Sequence, residues 1–147
     1  LLQPFNCRVL ICDLLDKSGV VDAYGVTQVS LEQLLAEADV VSLHVPLTEL
    51  THFMVNEEFL QKMKPTSYLV NNSRGPVVNL QSLKKALQQK TIAGSALDVY
   101  ESEPPDDLEF LALPNLIVTP HIGGSANEAV LAMGRSAISH IREYFLD

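Results

Sequence analysis

The chain is short of positive charge. Ten Lys and Arg stand against 18 Asp and Glu, for a formal charge of −8 over 147 residues. The basic residues are scattered. Nucleic acid is therefore excluded as a partner, because neutralising a phosphate backbone needs clustered cations. One or two local cations could still hold a small anion. Apolar runs are short as well: none approaches the roughly 20 residues that span a bilayer, and no secretory signal pattern is seen. The expectation is a cytoplasmic protein with no membrane partner. Cysteine is limited to Cys7 and Cys12. On one predicted strand they would face opposite sides and could not pair. They lack metal-ligand spacing, and no metal site is expected. They read as buried thiols in a reducing compartment. Repeats, low-complexity tracts and linkers are also absent, and so is any G-x-G-x-x-G. One domain over residues 1–147 is expected.

What is present is apolar and ordered. Hydrophobic residues make up 47% of the chain, enough for a sizeable core. Strand-length apolar runs alternate with helix-period segments, the pattern of an α/β domain with a parallel sheet. Strands are predicted at residues 8–12, 26–29, 39–45, 68–71, 92–99 and 116–118. The run from Asp39 to Val45 is nearly all apolar, as a strand covered on both faces should be. Ser30 to Gln33 reads as a capping box that opens a helix with Leu31, Leu34 and Leu35 inward. Asn56 and Asn79 read as N-caps of helices over 56–64 and 80–90, with Pro65 ending the first. A proline-rich acidic loop spans 101–114. A long helix over 126–145 closes the chain, opened by a Ser125–Glu128 capping box. Its apolar positions, among them Ala126, Ala129, Val130, Met133, Ala137, Ile141, Tyr144 and Phe145, follow helical spacing.

In a parallel sheet the functional loops leave the carboxyl ends of the strands. Asp13 follows the first run. It could accept hydrogen bonds from an adenosine ribose, or simply begin a turn. Arg74 follows the third long run, beside Gly75 and Pro76. Its planar guanidinium can hold a carboxylate through two bonds, or pair with a surface acid. His121 follows the last strand, in Thr119-Pro-His-Ile-Gly-Gly124. An imidazole can give or take a proton near neutrality, and a carboxylate such as Glu103 on its far nitrogen would fix its tautomer. Taken alone, His121 reads equally as a loop-packing residue. His44, His52 and His140 read as structural or surface residues. The Gly123–Gly124 pair could let backbone approach a ligand.

Four segments carry a resemblance: Ser42-Leu-His-Val-Pro-Leu-Thr48 with Thr51, Val70-Asn-Asn-Ser-Arg-Gly75, Ala96-Leu-Asp-Val-Tyr-Glu-Ser-Glu-Pro104 and Pro114-Asn-Leu-Ile-Val-Thr-Pro-His-Ile-Gly-Gly124. Their order and spacing resemble the NAD-binding domain of the D-2-hydroxyacid dehydrogenases. The resemblance implies a Rossmann-type, doubly wound, mostly parallel sheet with helices on both faces. It implies hydride transfer between NAD(H) and a 2-keto or 2-hydroxy acid. Arg74 would bind the substrate carboxylate, His121 would move the proton and Glu103 would tune it. Asp13, Val45, Asn72, Ser73, Arg74, Asp98, His121, Gly123 and Gly124 would line the cofactor, with Asp98 on the nicotinamide carboxamide. A homodimer through this domain is also implied.

The family places its glycine fingerprint upstream of a helix whose end Leu1 to Phe5 would match. The chain is therefore expected to be truncated at its N-terminus, to lack the substrate domain, and to bind NAD weakly alone. The alternative is an NAD(H)-sensing, co-repressor-like binding protein on the same fold.

Overall fold

The computed structural model describes residues 2–146. Leu1, placed by the resemblance at a helix end, lies outside them, and residues 3–5 form one 3-10 turn.

Strand β1 (Leu10–Ile11) pairs in parallel with β2 (Thr27–Gln28) as a two-stranded sheet. Helix α1 (Ser18–Tyr24) connects them and ends at Gly25, whose φ of 64° closes the last turn in the left-handed region. The sequence pattern does not announce α1: it begins Ser-Gly and has no side-chain cap.

The larger sheet holds β3 (Val40–Leu43), β4 (Tyr68–Asn71), β5 (Gly94–Leu97) and β6 (Leu116–Val118), all parallel and in that order. The connections place α2 (Leu31–Glu37) before β3, α3 (Glu57–Lys62) between β3 and β4, and α4 (Leu80–Gln88) between β4 and β5. Local chemistry sets where they start. The side chains of Ser30, Asn56 and Asn79 accept from the backbone N–H of Gln33, Phe59 and Ser82, each satisfying a donor that the first turn leaves free. Only half of the capping box at Ser30 forms, because the Gln33 amide turns forward to Glu37. The acidic loop contains a further short helix, α5 (Leu108–Leu111), capped by Asp107.

The core is one cluster. Leu35 of α2, Phe59 and Leu60 of α3, and Leu83 and Leu87 of α4 pack with Val41, Leu43, Leu69 and Leu97 of the sheet. These helices therefore cover one face. The opposite face carries Val40, 58% exposed, with Tyr68 and Ile117. Strand β3 thus alternates buried and exposed positions, where its apolar run predicts cover on both sides. Among the described residues nothing buries its second face. Leu34 joins the core partly and Leu31 stays exposed.

One other expectation is corrected. Cys7 and Cys12 are free thiols but exposed. The closing helix α6 (Asn127–Leu146) forms as its periodicity predicts, yet Val130, Met133, Ile141, Tyr144 and Phe145 are exposed. Helical spacing of apolar residues reports a face able to pack, not what covers it. No helix among the described residues is long and apolar enough to cross a membrane.

Candidate active site

All four strands of the larger sheet run in parallel, so the loops after them leave from one edge. Neighbouring strands lie about 4.8 Å apart, which puts the ends of β4 and β6 about 10 Å from each other. Arg74 follows β4, Asp98 and Glu103 follow β5, and His121 follows β6.

The loop after β4 turns on a buried amide. Asn71 ends the strand at 1% exposure. Its Oδ1 accepts from the backbone N–H of Ser73 at 3.1 Å and from the Ser73 hydroxyl at 2.9 Å. Its Nδ2 donates to the Arg74 carbonyl at 3.0 Å. Arg74 itself is extended and exposed, with Nη1 donating to the Ser73 carbonyl at 2.6 Å. The next residue, Gly75, presses against the neighbouring loop: a Cβ there would lie 1.8 Å from the Tyr100 carbonyl oxygen. Only glycine permits that approach.

Tyr100 faces each of these loops. Its backbone N–H donates to Glu103 Oε1 at 3.0 Å, and its buried hydroxyl donates to the Thr119 carbonyl at 3.0 Å. Burial, reinforced by the charge on Asp98, pushes its phenol pKa up. Glu103 Oε2 meets His121 Nδ1 at 2.7 Å. That bond to His121, followed by the Tyr100 N–H, holds the Glu103 carboxyl below its ordinary range. His121 has φ 54°, a left-handed conformation in which histidine is among the enriched residue types.

Asp98 secures the His121 loop. It accepts from the Thr119 hydroxyl, from the Ile122 N–H at 2.9 Å and from the Gly123 N–H at 2.8 Å. These bonds, the threonine's foremost, keep it ionised below the usual aspartate range. A Cβ on Gly123 would come 2.8 Å from the Asp98 carboxylate, whereas Gly124 stands in open space.

An open cleft of about 490 Å³ is lined by His44, Val45, Pro46, Leu47, Asn72, Ser73 and Arg74. It gathers four of the residues expected at the cofactor. His44, read from sequence as structural, is among its walls and bonds Ser42 at 2.9 Å. Asp13 lies in the loop that follows β1 of the smaller sheet. Its carboxylate accepts from the Leu15 N–H at 2.9 Å and pairs with Lys17 at 3.5 Å. The first of these contacts does most to lower its pKa. Among the described residues no cluster could hold a metal ion.

Residues 1–123 match the family described as D-isomer specific 2-hydroxyacid dehydrogenase, NAD binding domain. The chain belongs to this family. It is 47% identical over 127 residues to a glyoxylate reductase of Korarchaeum cryptofilum, a match covering 86% of the chain and 38% of the relative. It resembles the apo D-mandelate dehydrogenase of Rhodotorula graminis with a TM-score of 0.88 at 33% identity, covering 96% of the chain and 41% of that protein. It resembles the Aquifex aeolicus D-lactate dehydrogenase, solved with NAD and lactic acid, with a TM-score of 0.83 at 32% identity, covering 97% and 47%. The chain thus spans about two fifths of the length of the curated relatives it matches. The family likeness agrees with the α/β, Rossmann-type reading of the fold. The relatives named here are a reductase and two dehydrogenases, and no feature of the structure favours the co-repressor-like alternative.

Sequence reasoning passed over Asn71 and Tyr100. The available signal was alternation: on β4 Asn71 shares the buried side of the strand with Leu69.

Proposed function

We propose that residues 1–147 form one NAD-binding domain and that, within a full-length enzyme, it supports hydride transfer between NAD(H) and a 2-keto or 2-hydroxy acid. The carrying observation is the Glu103–His121 pair, held at 2.7 Å on loops adjoining the one that bears Arg74. The cleft fits part of a dinucleotide in volume and in its mixed polar and apolar lining. NAD(H) would supply the hydride donor or acceptor.

The chain's own residues do the rest. Arg74 offers a planar fork to the substrate carboxylate and polarises the neighbouring carbonyl. With Nδ1 committed to Glu103, Nε2 of His121 is the nitrogen left for substrate. It gives a proton to the carbonyl oxygen in reduction and takes one from the hydroxyl in oxidation. Glu103 fixes the tautomer and stabilises the imidazolium. Val45, Asn72, Ser73, Gly123 and Gly124 line the cofactor, and Asp13 receives the adenosine ribose. Three of the roughly four lone-pair positions on Asp98 are taken by the His121 loop, which leaves one for the nicotinamide carboxamide. The family resemblance supports a homodimer through this domain. The free thiols of Cys7 and Cys12 suit a reducing, cytoplasmic location.

The test grafts this domain in place of the matched segment of a full-length relative and measures NADH-dependent reduction of glyoxylate and pyruvate. Arg74→Ala and His121→Ala should each lower kcat/KM by about 10²–10⁴-fold. Near-normal turnover in either variant would overturn the assignment.

A further inference from the structure

We infer that Asn71 is a positioning residue for Arg74: its buried amide sets the backbone from which the guanidinium reaches a substrate carboxylate. The inference rests on the role proposed for Arg74 and adds the group that makes that role possible.

Three observations converge. Among the described residues Arg74 has no carboxylate partner, and the one hydrogen bond its side chain makes there is to the carbonyl of the residue before it. A long side chain with so few side-chain anchors takes its direction mainly from its backbone. That backbone is clamped from two sides. On one side Gly75 abuts Tyr100 with no room for a methyl group. On the other, Asn71 Nδ2 binds the Arg74 carbonyl at 3.0 Å while Oδ1 takes both donors of Ser73. Asn71 is also tied to the next strand, since its own carbonyl accepts from the Asp98 N–H at 3.0 Å. One buried residue therefore links the guanidinium's loop to the loop that carries Glu103.

The chemistry calls for asparagine. The position needs an acceptor for Ser73 and a donor for the Arg74 carbonyl on one short side chain, and an amide has both. Aspartate keeps the acceptor and loses the donor. It would set an anionic oxygen against the Arg74 carbonyl, in a site with almost no solvent. Serine is neutral but too short to bridge both neighbours.

A strand-end residue that merely stabilises the domain would harm every activity alike. A positioning residue harms only what Arg74 does, so the deciding measurement is a double-mutant cycle in the grafted full-length enzyme. It reads kcat/KM for glyoxylate at saturating NADH, together with the thermal transition of each variant. Asn71→Asp should lower kcat/KM by ~100-fold, the scale on which a misplaced binding group costs rate. In an Arg74→Ala background the same change should cost less than ~3-fold, because the interaction it supports is already gone. Asn71→Ser should show the same coupling without a buried charge. Equal losses in both backgrounds overturn the inference, as does loss of the folding transition in both Asn71 variants. If Arg74→Ala is impaired and Asn71→Asp is not, this inference alone fails. If Arg74→Ala is fully active, the substrate-binding role itself fails.

Discussion

Glu103 Oε2 and His121 Nδ1 meet at 2.7 Å across 18 residues of sequence, while the other oxygen of Glu103 receives the Tyr100 N–H at 3.0 Å. The carboxylate is thus used at both ends, once by the imidazole and once by its own loop. This double use makes its replacement predictable.

Glutamine has one acceptor oxygen where glutamate has two. In Glu103→Gln the side chain can satisfy Tyr100 or orient His121, but not both as acceptor. The expected outcome is a fall in kcat for keto-acid reduction of about 10²-fold, within the range for a disturbed acid–base partner. Steady-state kinetics of the grafted enzyme at saturating substrate would show it. An unchanged kcat would mean that the pair does not orient the proton donor.

Gly75→Ala tests the contact between the two loops. The added methyl would lie 1.8 Å from the Tyr100 oxygen and 2.0 Å from its carbonyl carbon, and both are backbone atoms that cannot rotate away. The loops must separate. We expect a loss of about 1–3 kcal/mol, the usual range for overpacking, read from denaturant unfolding of the 147-residue chain. Wild-type stability would show that the loops yield freely and are a poor frame for a reaction centre.

Much of this frame is legible in the sequence, for identifiable reasons. The N-caps at Ser30, Asn56 and Asn79 and the strand Tyr68–Asn71 follow from short-range chemistry and side-chain period. The pairing of Glu103 with His121 follows from motif and strand order. The features that escape depend on context. Helix α5 is a single turn inside a proline-rich loop, too short for any period to show. The bare side of β3 and the exposed stripe on α6 depend on what lies over them, which local pattern does not encode. Asn71 reads only as the end of a strand, and it takes the register and burial of β4 to show that its side chain points inward.

Asp98 predicts a stability that depends on acid. Its folded-state pKa is depressed, so below the ordinary value of about 3.8 the unfolded chain binds more protons than the folded one. The contribution is therefore complete above that value and is lost as pH falls through the folded pKa. Glu103, also depressed, acts in the same sense from about 4.5 downward. Thermal melts of the 147-residue chain between pH 6 and pH 3 should show a decline that steepens below about pH 4.5. Asp98→Asn should melt lower than wild type at pH 6 and lose less on acidification, because its missing charge cannot be titrated. Parallel curves for the two proteins would remove Asp98 from the account.

Asp13 and Lys17 bear on which dinucleotide is accepted. Asp13 carries a full negative charge where an adenosine ribose is proposed to dock, and its pKa is held down chiefly by the Leu15 N–H. A 2′-phosphate at that point would meet a carboxylate. Lys17 lies 3.5 Å from the same carboxylate, so the cation is partly neutralised while Asp13 is present. Asp13→Ser removes the repulsion and releases the lysine in one step. It keeps a small polar group that can still bond a ribose hydroxyl. The ratio of kcat/KM with NADPH to that with NADH should therefore rise by about 10–100-fold in the grafted enzyme, each tenfold corresponding to about 1.4 kcal/mol of differential binding. Asp13→Ser with Lys17→Ala should give back part of the gain, because NADPH then loses its attraction while the repulsion stays absent. A ratio unmoved by Asp13→Ser would place the ribose elsewhere and leave Asp13 as the start of a turn.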